Sequence, residues 1–333
     1  MNKKDLSVIV FAYNHENYIE QTILSVVHQK TKYSYEIVIN DDCSTDGTYS
    51  VIQSLQSKYP ELIKVIRNEI NFGLNKSFEN AVRNVSSIYI ALLGGDDYFI
   101  VSDKIEKQLD ILFADKTISF VHTSYKSLIE KTNKIVDGCN KDWKWPKESE
   151  NPLDKAAVVL TGNWNGYPSA STSCFQRDIL IKGLDELHWI IEFTVPGEGT
   201  IIHISMCLYG GKYHFITEDT VMYRIRSGSL SHKKTKLEQY RYTEAYALLR
   251  LKICDELQYP IAIKNQIIQK IVDALFIKSI LFRKNHIFSN MVRGLELPTK
   301  YKNRILFKCN VSWWYYMFSY MKRVINRIVR FFK

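Results

Sequence analysis

A chain of 333 residues, 46% hydrophobic and 24% charged, has the make-up of a globular protein. It has room for one large α/β domain with an extension, or for two modest domains. Its net charge of +10 is unevenly spread: Tyr301 to Lys333 hold eight Lys or Arg and no Asp or Glu, which leaves about +2 for the first 300 residues. A nearly neutral body lacks the basic stripe that nucleic-acid binding needs, so no nucleic-acid partner is expected. Cys43, Cys139, Cys174, Cys207, Cys254 and Cys309 are scattered, with no Cys-x-x-Cys pair and no His at ligand spacing. That argues against a zinc site or a disulfide framework and suits a reducing compartment. No signal peptide is read at the N-terminus, and no stretch reaches the roughly 18 uninterrupted apolar residues of a spanning helix.

Leu6 to Phe11 is a continuous apolar run with β-branched residues, the mark of a buried parallel strand. It ends in the polar loop Ala12-Tyr13-Asn14-His15-Glu16-Asn17. Tyr18 to Gln29 places Ile19, Ile23, Val26 and Val27 on one helical face. Tyr35 to Ile39 is the next strand, ending in Asn40-Asp41-Asp42-Cys43-Ser44-Thr45-Asp46-Gly47-Thr48. A helix over Tyr49 to Tyr59, a strand over Ile63 to Arg67 and a helix over Phe78 to Val85 follow. The apolar run Ile88 to Leu93 then breaks at Gly94-Gly95 and delivers Asp96 and Asp97. Strands alternating with helices predict a doubly wound, mainly parallel sheet. Its ligands belong in the crevice at the carboxyl ends of the strands, where Tyr13, Asp42 and Asp96-Asp97 would converge. Two adjacent carboxylates repel unless a positive charge joins them. A hard divalent cation carrying substrate phosphates is one partner; the alternative is a polar turn in which one aspartate caps the next helix. Neither Gly-x-Gly-x-x-Gly nor a Walker A loop follows the first strand. Asp46 and Thr48 are read as caps of the helix that follows them.

At this point a resemblance becomes specific. Ser7 to Asn14, Asn40 to Thr48, Asn71-Phe72-Gly73 with Asn80, and Gly94-Gly95-Asp96-Asp97-Tyr98 resemble, in the same order, the motifs of a family 2 glycosyltransferase, over roughly residues 5 to 232. The resemblance implies the GT-A fold of nucleotide-diphospho-sugar transferases, a donor of that class with a UDP-sugar foremost, and Mn²⁺ or Mg²⁺ as cofactor. It implies that Ala12 and Tyr13 meet the donor, with Tyr13 stacking on the base, and that Asp42 contacts the base. Asp96 would approach the ribose and Asp97 would bind the metal on the diphosphate.

Lys107 to Phe113 reads as a helix and Ile118 to Ser124 as a strand. Ile129 to Pro152, with Trp143 and Trp145, shows no clear period and reads as a loop region over the acceptor side. Trp164 and Tyr167 are either sugar-stacking surfaces or local packing. The resemblance calls for a catalytic base opening a helix before a Gly-containing turn. Pro196-Gly197-Glu198-Gly199, the run Ile201 to Leu208 and Gly210-Gly211 make Glu198 the choice, with Glu192 and Asp185 as fallbacks. Glu198 stands where Asp is commoner and a residue or two early; its other reading is a first-turn glutamate favoured by the helix dipole. Strands over Tyr213 to Ile216 and Thr220 to Tyr223 lead to Tyr223-Arg224-Ile225-Arg226 and the loop Ser227 to His232. This resembles the family's Tyr-Arg-x-His segment near the diphosphate. Arg226 replaces the usual histidine, and Arg224 and Arg226 are assigned to the donor, where a cation meets phosphate directly; His232 is an outside candidate.

Leu237 to Leu257 and Ile263 to Phe282 read as helices of an appendage. In the tail, Trp313 to Phe318 form an aromatic block. Beyond it Lys322, Arg323, Arg327 and Arg330 share one helical side, and Met321, Val324, Ile325, Ile328 and Phe332 the other. That is the pattern of a helix lying in an anionic membrane interface, or of a helix docked on protein. The expected organisation is a transferase domain over 1–234, a helical extension over 235–300 and a basic membrane-associating tail over 301–333. The expected protein is a metal-dependent inverting glycosyltransferase of surface-polysaccharide synthesis, cytoplasmic and peripheral on the inner face of the cell membrane, with a glycan or lipid-linked acceptor. The competing readings are a nucleotidyltransferase, which lacks its basic Gly-rich loop here, and a catalytically inactive sugar-nucleotide-binding scaffold of the same fold.

Overall fold

The structure is a computed structural model that describes residues 3–138, 151–161, 168–193, 197–226 and 236–269, with positions 299 and 303. The chain divides into two compact units, Met1–Ser229 and Leu230–Lys333. The first unit opens with β1 (Leu6–Ala12), α1 (Ile19–Val27), β2 (Tyr35–Asp41), α2 (Thr48–Lys58), β3 (Ile63–Arg67), α3 (Leu74–Arg83), β4 (Tyr89–Gly94) and the short β5 (Tyr98–Phe99). It continues with α4 (Lys104–Ala114), β6 (Ile118–Ile129), β7 (Lys134–Asp137), α5 (Pro152–Thr161), β8 (Ser173–Gln176), α6 (Arg177–Glu186), α7 (Glu198–Tyr209) and β9 (Lys212–Ile225). The second unit contributes α8 (Lys236–Glu256) and a further helical stretch over 261–269.

One sheet runs in the order β3-β2-β1-β4-β8-β6-β9-β5, with β7 on the side of β6. The first four strands are parallel to their neighbours, as are β6 and β9. β8 enters antiparallel between β4 and β6. Val8, Ile9 and Val10 of β1 and Ile90 to Leu93 of β4 are buried on both faces, because helices cover the sheet on either side. α1 buries Ile19, Thr22, Ile23 and Val26, the i, i+3, i+4, i+7 stripe of a helix packed on a core. This is the mixed α/β fold with a mainly parallel sheet that the alternation predicts.

Several elements differ from the sequence reading. α3 and α4 start earlier than expected, at Leu74 and Lys104. The two strands expected over 213–216 and 220–223 are one strand, β9, because shifts of register between Thr123 and Tyr125 of β6 absorb the polar residues between them. An irregularity of this kind bends a ladder without ending it. β7 is a strand inside the stretch Ile129 to Pro152 that was read as a loop, and α5, β8 and α6 carried no sequence assignment; β7 and β8 span only four residues each, too short for a period to show. Trp143, Trp145, Trp164, Tyr167, the loop Ser227 to His232, and the tail from residue 301 apart from position 303 lie outside the described residues.

Candidate active site

The carboxyl ends of β1 and β2 are joined where the Asp42 N–H donates to the Ala12 carbonyl at 2.9 Å. The Asp42 side chain, 7% exposed, turns to the next crossover. Its Oδ1 accepts from Asn68 Nδ2 and from the Phe72 N–H, both at 2.8 Å, and its Oδ2 accepts from the Gly73 N–H at 2.9 Å. Gly73 has φ +76°, a conformation that favours glycine, so the turn before α3 is fixed by its own backbone and by Asp42. Asn68 extends the network, donating also to Ser77 Oγ and accepting from Asn80 Nδ2. A carboxylate offers about four acceptor positions, so Asp42 keeps capacity for one more donor. Tyr13 and Phe72, on the two loops that Asp42 joins, are 43% and 42% exposed. Asp46 accepts the N–H of Thr48 at 3.0 Å and Thr48 Oγ1 accepts that of His15 at 2.7 Å, which ties the start of α2 to the loop after β1.

The Gly94-Gly95-Asp96-Asp97 turn is held against α1: Thr22 Oγ1 donates to the carbonyls of Gly95 at 3.0 Å and Asp97 at 2.7 Å. A Cβ at Gly95 would meet His15 Nδ1 at 2.5 Å and the Phe11 carbonyl at 2.7 Å, so the first loop and this turn pack backbone to backbone. The two carboxylates then part. Asp97, 3% exposed, points inward, accepting from Ser171 Oγ at 2.7 Å on Oδ2 and from the Arg224 N–H at 3.0 Å on Oδ1. Burial, with Asp96 beside it, pushes its pKa up to about 7. Asp96 faces the crevice. Its Oδ2 accepts from Arg226 Nε at 2.6 Å and lies 3.9 Å from His15 Nε2, while its Oδ1 accepts nothing from the described residues.

Arg224 Nη1 donates to the Asp96 carbonyl at 2.6 Å, Nη2 donates to Gln21 Oε1, and the guanidinium lies over the rings of Tyr18 and Tyr98 at 5.1 and 4.7 Å. Arg226 Nη2 meets His15 Nε2 at 2.6 Å. Burial lowers the His15 pKa; a guanidinium can only donate, so His15 Nε2 is the acceptor of this contact. The structure thus gathers Asp96, Arg224 and Arg226, which the sequence reading had assigned to the donor, and turns the Asp97 carboxylate inward onto Ser171 Oγ and the Arg224 backbone N–H. His15, Ser171 and Asn75 carried no assignment. The side-chain hydrogen-bond partners given above for these three lie 74 or more residues away in the chain, and only the polar loop after β1 hinted at His15.

Glu198 is the first residue of α7. Its Oε2 is buried without a hydrogen-bond partner among the described residues, and burial pushes its pKa up to about 7 against the backbone N–H groups of Glu198 and Gly199. Asn75, at the start of α3, sets the approach to it: Oδ1 accepts the Gly197 N–H at 2.6 Å, and Nδ2 donates to the carbonyls of Phe193 at 3.0 Å and Ile191 at 3.5 Å. Asp42 holds Gly73, two residues before Asn75, so the turn bound by Asp42 and the approach to Glu198 share one helix end. Of the fallbacks, Glu192 is exposed at the end of a short 3₁₀ turn, and Asp185 is a surface residue paired with Arg83 at 2.8 Å.

Residues 7–182 match the family described as Glycosyl transferase family 2. The chain is 36% identical over 125 residues to the putative teichuronic acid biosynthesis glycosyltransferase TuaG of Bacillus subtilis, covering 38% of this chain and 48% of that one. The fold is similar to that of S. aureus TarS 1–349 in complex with UDP-GlcNAc, with TM-score 0.52, 17% identity and coverage of 81% and 80%. It is also similar to the mannosyltransferase PcManGT of Pyrobaculum calidifontis in complex with GDP-Man and Mn²⁺, with TM-score 0.50, 15% identity and coverage of 92% and 84%. The matches span 66% or less of the length of the curated relatives. The chain belongs to glycosyl transferase family 2, and its fold is GT-A.

Proposed function

We propose that this protein transfers a sugar from a nucleotide-diphospho-sugar to an acceptor hydroxyl with inversion. The observation that carries the reading is the arrangement at the carboxyl edge of β1, β2 and β4. An exposed Tyr13 ring stands beside Asp42, and Asp96 faces outward between Arg224 and Arg226. An aromatic face takes a base, the Asp42 position accepts from it, and the Arg226 guanidinium meets the diphosphate while Arg224 braces the Asp96 carbonyl behind it. Among the described residues no group of three or more His, Cys, Asp or Glu could hold a metal ion. A hard cation that takes most of its ligands from phosphate and water needs only one or two carboxylates, and Asp96 with its uncommitted Oδ1 fits that demand, whereas the inward Asp97 does not face it. When bound there, Mn²⁺ or Mg²⁺ would neutralise charge on the departing nucleoside diphosphate.

Glu198 is the general base. Its buried, unpartnered Oε2 can take the acceptor's hydroxyl proton, and a pKa near 7 matches that task at neutral pH. The likeness to TuaG, a putative teichuronic acid biosynthesis glycosyltransferase, supports a polysaccharide acceptor; a lipid-linked one rests on the basic-aromatic tail, and a UDP-sugar is the first donor to try. No described helix is long and apolar enough to cross a membrane; attachment at the inner membrane face rests on the basic-aromatic segment 311–333 of the sequence. Titration calorimetry of UDP-GlcNAc and GDP-mannose with Mn²⁺ tests the donor site. One nucleotide-sugar should bind and be lost in Asp96→Ala, and a wild-type protein that binds none overturns the reading. Sedimentation with anionic vesicles should fall on truncation before residue 311, and unchanged binding refutes attachment by the tail.

A further inference from the structure

Arg226 is joined to Asp96 Oδ2 through Nε and to His15 Nε2 through Nη2, each at 2.6 Å. Its Nη1 has no acceptor among the described residues. Its side chain is 21% exposed and its guanidinium lies over the Tyr18 ring at 5.5 Å, so the group is part-buried with a side left to solvent. The charge nearby is two guanidiniums, Arg224 and Arg226, against Asp96 and an inward Asp97, with Asp46 acting on His15 and Glu130 on the hydroxyl of Tyr18, whose ring both guanidiniums lie over. Arg224 is committed to the Asp96 carbonyl and Gln21 and is 8% exposed; Arg226 is the cation with donors to spare. A guanidinium fork presents paired N–H groups in the geometry that phosphate oxygens accept. It also sits on the same carboxylate that a divalent cation would use, and two cations on one carboxylate repel each other.

Resting on the donor reading above, we propose that Arg226 is the built-in counter-ion of the diphosphate, so that nucleoside diphosphate binds this site without a divalent metal. Metal added at Asp96 Oδ1 then supplements Arg226, and the two weaken each other's hold on the carboxylate. His15 serves as a positioning residue, since its Nε2, 2.6 Å from Nη2, holds that corner of the guanidinium and leaves Nη1 pointing free.

Calorimetric titration of UDP and of GDP, each in EDTA and in Mn²⁺, tests this on the full chain. Wild-type protein should bind one of them in EDTA within about tenfold of its affinity in Mn²⁺, the scale of a single charge-assisted hydrogen bond. Arg226→Gln should weaken binding in EDTA by about tenfold or more, with a smaller loss in Mn²⁺, and should tighten Mn²⁺ alone as followed by its electron paramagnetic resonance signal. Arg226→Lys should recover part of the metal-free binding. Wild-type binding that disappears in EDTA but is present in Mn²⁺ overturns this inference and leaves the donor reading standing. Binding of neither nucleotide under any condition overturns both. The EDTA comparison needs no variant, so a poorly folded Arg226→Gln does not shield the idea.

Discussion

Replacing Asp97 by Asn should stabilise the protein at neutral and alkaline pH. The folded carboxyl titrates at about 7, against 3.8 for the unperturbed group, mainly because it is buried. Below pH 3.8 the acid is protonated in both states and adds no pH dependence. As pH rises from there the unfolded chain gives up the proton first, so the native state loses stability at up to 1.36 kcal/mol per unit, until the folded group also ionises near pH 7. A difference of about three units makes the loss about 4 kcal/mol at pH 8. Asn has the same shape and no charge. Its Oδ1 can accept the Arg224 N–H, and its amide can donate to Ser171 Oγ, where the carboxylate now accepts at 2.7 Å. Reversing that second bond displaces the serine proton and returns about 1 kcal/mol or more of the gain. The net expectation is about 1–3 kcal/mol of added stability at pH 8 and little change at pH 4. Urea unfolding followed by circular dichroism, from pH 4 to 8, reads both. A variant less stable than wild type at pH 8, or a stability difference that does not grow with pH, would refute the inward, desolvated placement of Asp97.

Glu198→Gln should abolish transfer by about 10²–10⁴-fold while nucleotide binding persists; parallel loss of binding and turnover would remove Glu198 from the role of base. In the wild type the rate should rise with pH to a plateau above about 7, because the base acts when deprotonated and its pKa is near 7, and a rate flat from pH 5 to 9 would contradict this. Asp42→Ala strips the acceptor from Asn68 and from the Phe72 and Gly73 amides; a loss of about 2–4 kcal/mol is expected, with faster hydrogen exchange at those two amides, and unchanged exchange would sink the clamp. Gly95→Ala places a methyl 2.7 Å from the Phe11 carbonyl and should lower the melting temperature by several degrees for a cost of about 1–3 kcal/mol.

The sheet's first half was legible because β1 and β4 are apolar on both faces and α1 carries a clean stripe, and because the short β-branched runs of β2 and β3 alternate with helices, although β3, at the sheet edge, leaves Lys64 and Arg67 exposed. β8 was not legible: four residues inserted antiparallel in mid-sheet leave no period, and pairing with β4 and β6 is decided by tertiary contact. The loops carrying Tyr13, Asp42 and Asp96 were placed correctly at one sheet edge by the alternation of elements. What the sequence could not show was direction. Asp96 and Asp97 are adjacent and chemically identical, and only Ser171 and Arg224, 74 and 127 residues away, decide which faces the crevice. Glu198 stood out through its place at a helix start, whereas Asn75 is one polar residue among many until its partners at Gly197 and Phe193 are known.

The Asn75 bridge bears on how this scaffold can be recombined. A natural or engineered chimera that takes residues up to the end of β4 from one parent and the remainder from another separates Asn75 from the three backbone groups it binds between Ile191 and Gly197. Donor preference and acceptor chemistry therefore do not trade as free modules. A crossover anywhere between 75 and 197 must carry an amide at the one end and a backbone path of the same course at the other, or Glu198, the proposed base, arrives without its alignment.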